Sequence, residues 1–293
     1  MTIEDINTIE NDITNHALTL PDQAGRNRIV IKDQQVFDIA ARHDVSLHDI
    51  YKAALKKGIL PYRYIRNLES VTIDDQLKLH ESKAAIIGAG GLGGQVIVLL
   101  ARLGIGNLAV IDHDVFDETN LNRQALSSMD VLGKSKAETA KEIAGRINPA
   151  VNVTPFHLRL NDSNADNILR GSDVIVDALD NISDRFILED FARTLGIPLV
   201  HGAVTGFEGQ IMTIFPSDAG MEYIYGKVKN TTQSENNKAS IQGVPAVTPA
   251  IIASYQVIEV VKIILKKGNL LRNMLVYMEM VKCESRKLHF NKD

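Results

Sequence analysis

Five clusters along this chain carry residue types that could do chemistry together. Gly88-Ala89-Gly90-Gly91-Leu92-Gly93 joins a short apolar run to a helical stripe. Glycines Gly88, Gly90, Gly91 and Gly93 let the backbone turn tightly and approach phosphate oxygens, which rest on the positive end of the helix. Asp112 closes the next apolar run, where an acid takes ribose hydroxyls. A nicotinamide or flavin oxidoreductase would share that much. The remaining clusters argue against one: Asp112-His113-Asp114, Asn120-Leu121-Asn122-Arg123-Gln124, Lys136 in Gly133-Lys134-Ser135-Lys136, and Asp180 in Asp177-Ala178-Leu179-Asp180-Asn181. A dinucleotide's pyrophosphate is satisfied by backbone N–H groups. Breaking a triphosphate at its α-phosphorus calls for fixed cations and a metal. Arg123 and Lys136 can supply the cations, and Asp180 a hard oxygen ligand for Mg²⁺. The expectation is ATP with Mg²⁺. Taken singly, Asn120–Gln124 would read as a solvated polar loop and Lys136 as part of a helix cap.

The elements that must position these groups alternate. Ala84–Ile87, Leu108–Asp112, Val151–Phe156, Asp173–Val176 and Leu199–Val204 read as strands, and Leu92–Leu103, Gly133–Asn148 and Ile182–Leu195 as helices between them. That spacing predicts an α/β fold, a Rossmann-like, doubly wound, mainly parallel sheet built from right-handed crossovers. Gln210–Phe215, Met274–Val281 and Lys287–Phe290 add C-terminal strands, and Ala250–Leu265 a last helix. Residues 217–245 form a long polar segment without periodicity, of the kind that serves as a lid or binding loop. Residues 1–33 show weak periodicity. Residues 34–58 read as two short helices, with Ser46 as an N-cap and Gly58 as a stop. The expected division is a small helical N-terminal extension, residues 1–60, and a nucleotide-binding adenylation domain, residues 61–293.

In order and spacing, Arg63-Tyr64-Ile65-Arg66-Asn67, the glycine loop, Asp112-x-Asp114, Asn120-x-x-Arg123-Gln124, Lys136 and Asp180-Asn181 resemble the ThiF/MoeB/HesA family, bacterial relatives of ubiquitin-activating enzymes. The resemblance covers about four-fifths of the chain. It implies a reaction in which ATP and a carboxylate give an acyl adenylate and pyrophosphate. The acceptor it implies is the C-terminal glycine of a small ubiquitin-like sulfur-carrier protein ending in Gly-Gly. By the family's pattern Asp112 holds the ribose, Asn120, Arg123 and Gln124 the phosphates, Lys136 the α-phosphate and Asp180 the Mg²⁺. Arg66 reaches the phosphates from the other subunit of a homodimer. Tyr223, Tyr225, Lys227 and Lys229 fall in the crossover segment that covers the acceptor's tail. Two alternatives stay open: a small-molecule or RNA-linked carboxylate as acceptor, or a nucleotide-binding module without catalysis.

The sequence departs from the family in its thiols. Cys283 is the only cysteine. There are no Cys-x-x-Cys pairs, so the expectation is no zinc, and the stretch Asn237–Gln242 has no nucleophilic thiol. Cys283 itself reads as a residue of a strand from Leu275 to Glu284, buried and inert. His201, at a strand end before Gly202, reads as a packed core histidine. Acidic residues outnumber basic ones, 36 to 32, which argues against general nucleic-acid binding. The helix pair at 34–58 carries Arg42, Lys52, Lys56 and Lys57 against Asp38, Asp44 and Asp49, so its helix-turn-helix pattern reads as packing rather than DNA recognition. Gln256, Glu259 and Lys262 interrupt the longest apolar stretch, so no membrane span is expected. The polar N-terminus is unlike a secretory signal, and the expected location is cytoplasmic.

Overall fold

A computed structural model describes residues 3–226 and 243–290. The elements are α1 (Ile3–His16), β1 (Leu18–Pro21), β2 (Asn27–Ile31), α2 (Asp33–His43), α3 (Leu47–Lys56), β3 (Leu60–Pro61) and a 3-10 helix (Tyr62–Asn67). There follow α4 (Ile73–Glu81), β4 (Lys83–Ile87), α5 (Gly91–Leu103), β5 (Asn107–Ile111), α6 (Lys136–Ile147), β6 (Asn152–Phe156), α7 (Ala165–Leu169), β7 (Val174–Asp177) and α8 (Ile182–Leu195). The chain continues with β8 (Leu199–Thr205), β9 (Glu208–Ile214), α9 (Glu222–Tyr225), α10 (Val247–Leu265), β10 (Met274–Glu279) and β11 (Glu284–His289).

Eight strands form one sheet in the order β11-β10-β9-β8-β7-β4-β5-β6. From β8 through β6 all pairings are parallel, while β9, β10 and β11 join antiparallel. A parallel sheet buried on both faces needs strands that are apolar at every position, and β4 supplies them. Ala84 and Ile86 enter a core with α5, α6 and α10, and Ala85 and Ile87 enter a second core with α7 and α8. Strand order reverses at β4, so the C-terminal ends of β4, β5 and β7 flank one crevice, the usual ligand position in such sheets. The doubly wound sheet with added C-terminal strands matches the expectation.

The N-terminal region differs from the helical extension expected. α1, α2 and α3 pack with a three-stranded sheet in the order β1-β2-β3, around a core that includes Ile13, Val30, Ile39, Ile50, Tyr51 and Tyr64. The β1–β2 hairpin eluded sequence reading because its turn is organised by a side chain. Asp22 accepts from the backbone N–H groups of Ala24 (2.8 Å) and Arg26 (3.0 Å) and from both Arg26 and Arg28 Nε, and Gly25 takes a φ of +75°. α2 and α3 do form the expected helix pair. Their cations are neutralised within the fold: Arg42 by Asp12, Lys52 and Lys56 by Glu81, and Lys57 by Glu10.

Cys283 is not within a strand: it lies exposed in the β10–β11 turn with φ +55°, because Met280 to Cys283 turn without any Gly, Pro, Asn or Asp to announce it. Lys227, Lys229 and Asn237–Gln242 lie outside the described residues. α10 is long and apolar enough to cross a membrane by length and composition. It serves instead as a core helix, burying Ile252, Ala253, Val257 and Val260.

Candidate active site

The glycine loop sits where β4 passes into α5, and at Gly88 and Gly93 its geometry leaves no room for a side chain. Gly88 has φ +99°, and a Cβ there would lie 2.6 Å from the Ala178 carbonyl oxygen. A Cβ on Gly93 would lie 1.8 Å from the Gly88 oxygen. The close approach to Ala178 ties the loop to the end of β7, and the Ala178 N–H donates to Ile87 O at 3.0 Å. Gly88 N–H donates to Ile111 O at 2.8 Å, tying it to the end of β5.

From that loop a chain of hydrogen bonds leads to a buried lysine. Ala89 N–H donates to Asp112 Oδ2 (2.7 Å), Asp114 N–H donates to Asp112 Oδ1 (2.8 Å), and Lys136 Nζ donates to Asp114 Oδ2 (2.9 Å). Lys136 is buried at the first turn of α6, whose N-cap is Ser135. Burial alone would raise the Asp114 carboxyl, but the Lys136 ammonium outweighs it and holds the group below the usual range. Asp112, His113 and Asp114 are close enough to hold a cation together, though the carboxylates of both aspartates are already engaged as described.

The Asn120–Gln124 segment lies over the loop. Gln124 is buried beside Gly90, its Oε1 without a hydrogen-bond partner among the described residues. The Arg123 side chain crosses α5 at Gly91, where a Cβ would be 3.6 Å from its Cγ and 3.7 Å from Pro249 Cγ of α10. Its guanidinium donates to Thr119 O and Asn122 Oδ1. Asn120 is spent on the loop itself, accepting from Asp117 N–H at 3.1 Å. On the other flank Asp180 is exposed and makes no hydrogen bond among the described residues. An exposed carboxylate three residues beyond the end of β7, in the segment whose Ala178 meets Gly88, has the oxygen donor a magnesium ion takes.

Asp180 lies two residues beyond Ala178, whose carbonyl faces Gly88; of the other residues singled out in the sequence, the glycines, Asp112, Asp114, Asn120, Arg123, Gln124 and Lys136 meet around this loop. Arg66 does not. It is exposed in the 3-10 helix, attached to the N-terminal core, and has no ion-pair partner among the described residues. Glu69, which could have neutralised it, is taken by Arg26 and Arg28. Its neighbour Arg63 is tied to Asp33 and the Ile147 carbonyl.

Sequence reasoning missed a buried polar cluster behind the Asp180 loop. His201 is fully buried, as expected of a core histidine, but its Nδ1 lies 2.7 Å from Asp177 Oδ2. Arg185 and Tyr225 complete the cluster. Asp177 was visible as an acid at the end of an apolar strand. Arg185 and Tyr225 have no such local signal.

Residues 62–293 match the model of the ThiF family. The chain belongs to the ThiF family. It is an adenylyltransferase of that family. It is 36% identical over 219 residues to the SAMP-activating enzyme E1 of Haloferax volcanii, a match spanning 74% of this chain and 80% of that one. A probable molybdopterin-synthase adenylyltransferase of Porphyra purpurea is also 36% identical over 219 residues, 73% of this chain and 56% of the relative. Among solved structures, E. coli MccB with ATP superposes with a TM-score of 0.68 at 24% identity, over 79% of this chain and 71% of that one. That likeness is one of fold.

Proposed function

We propose that this ThiF-family enzyme uses ATP and Mg²⁺ to adenylate the C-terminal glycine of a small ubiquitin-like sulfur carrier ending in Gly-Gly. The observation that carries the reading is the hydrogen-bond chain from Ala89 through Asp112 and Asp114 to Lys136. It gathers a phosphate-binding turn, a ribose acid and a buried cation at one crevice. The names of the Haloferax and Porphyra relatives favour a protein carrier over a small-molecule acid.

The acceptor carboxylate is ionised at neutral pH and needs no general base. Its oxygen attacks the α-phosphorus of ATP, the bond to the β-phosphate oxygen breaks, and pyrophosphate leaves. Lys136 would release Asp114 to meet the α-phosphate, and Arg123 and Gln124 would hold the remaining phosphates over Gly90 and Gly91. Asp112, with both oxygens fixed by backbone N–H groups, is pre-aimed at the ribose. Mg²⁺ at Asp180 would offset phosphate charge. The chain offers no thiol near this crevice in sequence, so any sulfur is delivered by another protein.

The working unit is a homodimer in the cytoplasm. Val247, Ile251, Tyr255 and Ile258 form one exposed apolar stripe on α10, the helix whose Pro249 reaches the glycine loop. That stripe is a surface on which a second copy could pack, and by the family's pattern Arg66, which has no ion-pair partner among the described residues, would then serve that copy's phosphates. We read residues 1–60 as an appended module and 61–293 as the adenylation domain; the N-terminal core runs past that boundary through Tyr64, Ile65 and Leu68 and takes in Ala150.

The test is pyrophosphate–ATP exchange with a Gly-Gly carrier, its truncated form and amino acids as acceptors. Exchange is expected with the intact carrier only. Asp180→Ala should lower it by about two orders of magnitude, the scale of one lost electrostatic group in the transition state. Exchange with amino acids alone, or at wild-type level in a folded Asp180→Ala variant, refutes the reading.

A further inference from the structure

α9 ends at Tyr225, 45 residues beyond Asp180 in sequence, yet its hydroxyl is the meeting point of the buried cluster behind the Asp180 loop. Arg185 Nη1 donates to it at 2.8 Å and Gln210 Nε2 at 2.7 Å, and it lies 3.1 Å from His201 Nε2. These roles fit together in one way. The hydroxyl accepts two hydrogen bonds and donates one to His201 Nε2, which leaves the His201 proton on Nδ1 for Asp177. Burial pushes the His201 pKa down, which keeps that neutral tautomer.

The cluster grips one residue from both sides. Leu179 N–H donates to Asp177 Oδ1 at 2.9 Å, and Leu179 O accepts from Arg185 Nη2 at 2.6 Å. Arg185 Nε lies 3.6 Å from Asp177 Oδ2. Asp180 is next in the chain. We propose that Tyr225 is a positioning residue for Asp180: by holding Arg185, its hydroxyl fixes the Leu179 carbonyl and with it the direction in which the Asp180 carboxylate meets a divalent cation. This rests on Asp180 being the metal ligand.

Stability alone does not account for the arrangement. A guanidinium, a carboxylate, an imidazole and a phenol are costly to bury, and apolar side chains of the same volume would pack a strand end at least as well. What the polar set adds is direction. Each bond has one geometry, and together they restrain a loop whose own next side chain has no hydrogen-bond partner among the described residues. The Tyr225 ring also packs against Phe186 and His201, with centroids at 6.4 and 5.8 Å, so removing the hydroxyl alone separates positioning from packing.

The experiment uses full-length Tyr225→Phe and Arg185→Lys, which keeps the charge but not the planar fork. Two measurements avoid catalysis: amide hydrogen exchange of residues 178–182 without nucleotide, and Mn²⁺ binding to the complex with a non-hydrolysable ATP analogue, read by electron paramagnetic resonance. Both variants should speed exchange there and weaken Mn²⁺ binding by roughly tenfold, the scale of one lost hydrogen bond to a charged group, with metal-free analogue affinity unchanged. Asp180→Asn is the reference. If it weakens Mn²⁺ binding while Tyr225→Phe and Arg185→Lys leave both readouts at wild-type values, the positioning role is wrong and the metal assignment stands. If Asp180→Asn leaves Mn²⁺ binding intact, the metal assignment fails and the positioning role falls with it.

Discussion

Lys136 Nζ lies 2.9 Å from Asp114 Oδ2, the lysine side chain 7% exposed and the aspartate 52% exposed. The pair is lopsided: the cation is enclosed, while its partner faces solvent and can be displaced by a phosphate. Asp114 therefore keeps a place for the lysine before nucleotide arrives.

That asymmetry sets different costs for stability and catalysis. Removing one partner of an ion pair is costly when the other charge stays buried, but Asp114 is half exposed and can rely on water. Lys136→Met should keep a melting temperature close to wild type. Pyrophosphate exchange should fall at least about a hundredfold, some 3 kcal/mol of transition-state stabilisation. Calorimetry and exchange on one preparation decide it, and undiminished exchange would remove Lys136 from the mechanism.

Two glycines should respond in opposite ways to alanine. At Gly93 the new methyl would meet the Gly88 oxygen at 1.8 Å, inside a loop pinned to Ala178. The loop must shift, and Gly93→Ala should lose ATP binding along with about 3 kcal/mol or more of stability. Gly145 lies within α6, and a Cβ there meets nothing within 4 Å. Gly145→Ala should stabilise by about 0.5–1 kcal/mol through helix propensity and unfolded-state entropy. Thermal unfolding with and without ATP checks both, and a tight-binding Gly93→Ala protein would contradict the loop geometry.

The contrast also shows why parts of the fold could be read in advance. β4, β5 and β7 are unbroken apolar runs ended by glycine or aspartate, so the sheet and the residues at its C-terminal edge were legible. Asp112, Lys136 and Asp180 sit at element ends, where local sequence carries the information. Tyr225 and Arg185 meet across 40 residues, a pairing that only the folded sheet creates. The β1–β2 hairpin depends on Asp22 collecting backbone N–H groups, and the β10–β11 turn has no turn-forming residue at all. Both lay below what periodicity can resolve.

His80 predicts an acid sensitivity in the joint between the N-terminal core and the nucleotide domain. Its ring stacks on His48 at 4.1 Å, its Nε2 lies 2.9 Å from the His48 carbonyl, and its Nδ1 has no partner among the described residues. Burial, then the neighbouring His48, push its pKa down to about 4, with Lys52 lowering it further and the His48 carbonyl and Glu81 opposing. An unfolded histidine titrates near 6.5. Between those values the unfolded chain takes up a proton that the folded chain refuses. The site therefore costs nothing above about pH 7 and destabilises progressively as pH falls from about 6.5 to 4, by at most about 3 kcal/mol. His80→Gln can keep the bond to the His48 carbonyl and does not titrate. Its melting temperature should fall less than the wild type's between pH 7 and 5; parallel falls would assign the acid sensitivity elsewhere.

Arg66 is expected to serve the active site of the other subunit. Its guanidinium is exposed and unpaired among the described residues, while Arg63, three residues earlier, is bound to Asp33 and the Ile147 carbonyl. One arginine holds the segment in place and the other is left free. Within its own chain Arg66 is attached to the N-terminal core rather than to the crevice. If it acts across a two-fold interface, each active site is completed by the other subunit, and its planar fork can grip two phosphate oxygens. Arg66→Ala and Lys136→Ala should each be inactive as pure dimers. After mixing and subunit exchange, a heterodimer holds one site with an intact Lys136 from the first variant and an intact Arg66 from the second. Its other site lacks both. With random exchange, activity should recover to roughly a quarter of wild type per chain for closed two-fold dimers. If Arg66 serves its own chain, both sites of every heterodimer stay broken, and no recovery despite exchange proven by mass spectrometry rules the shared site out.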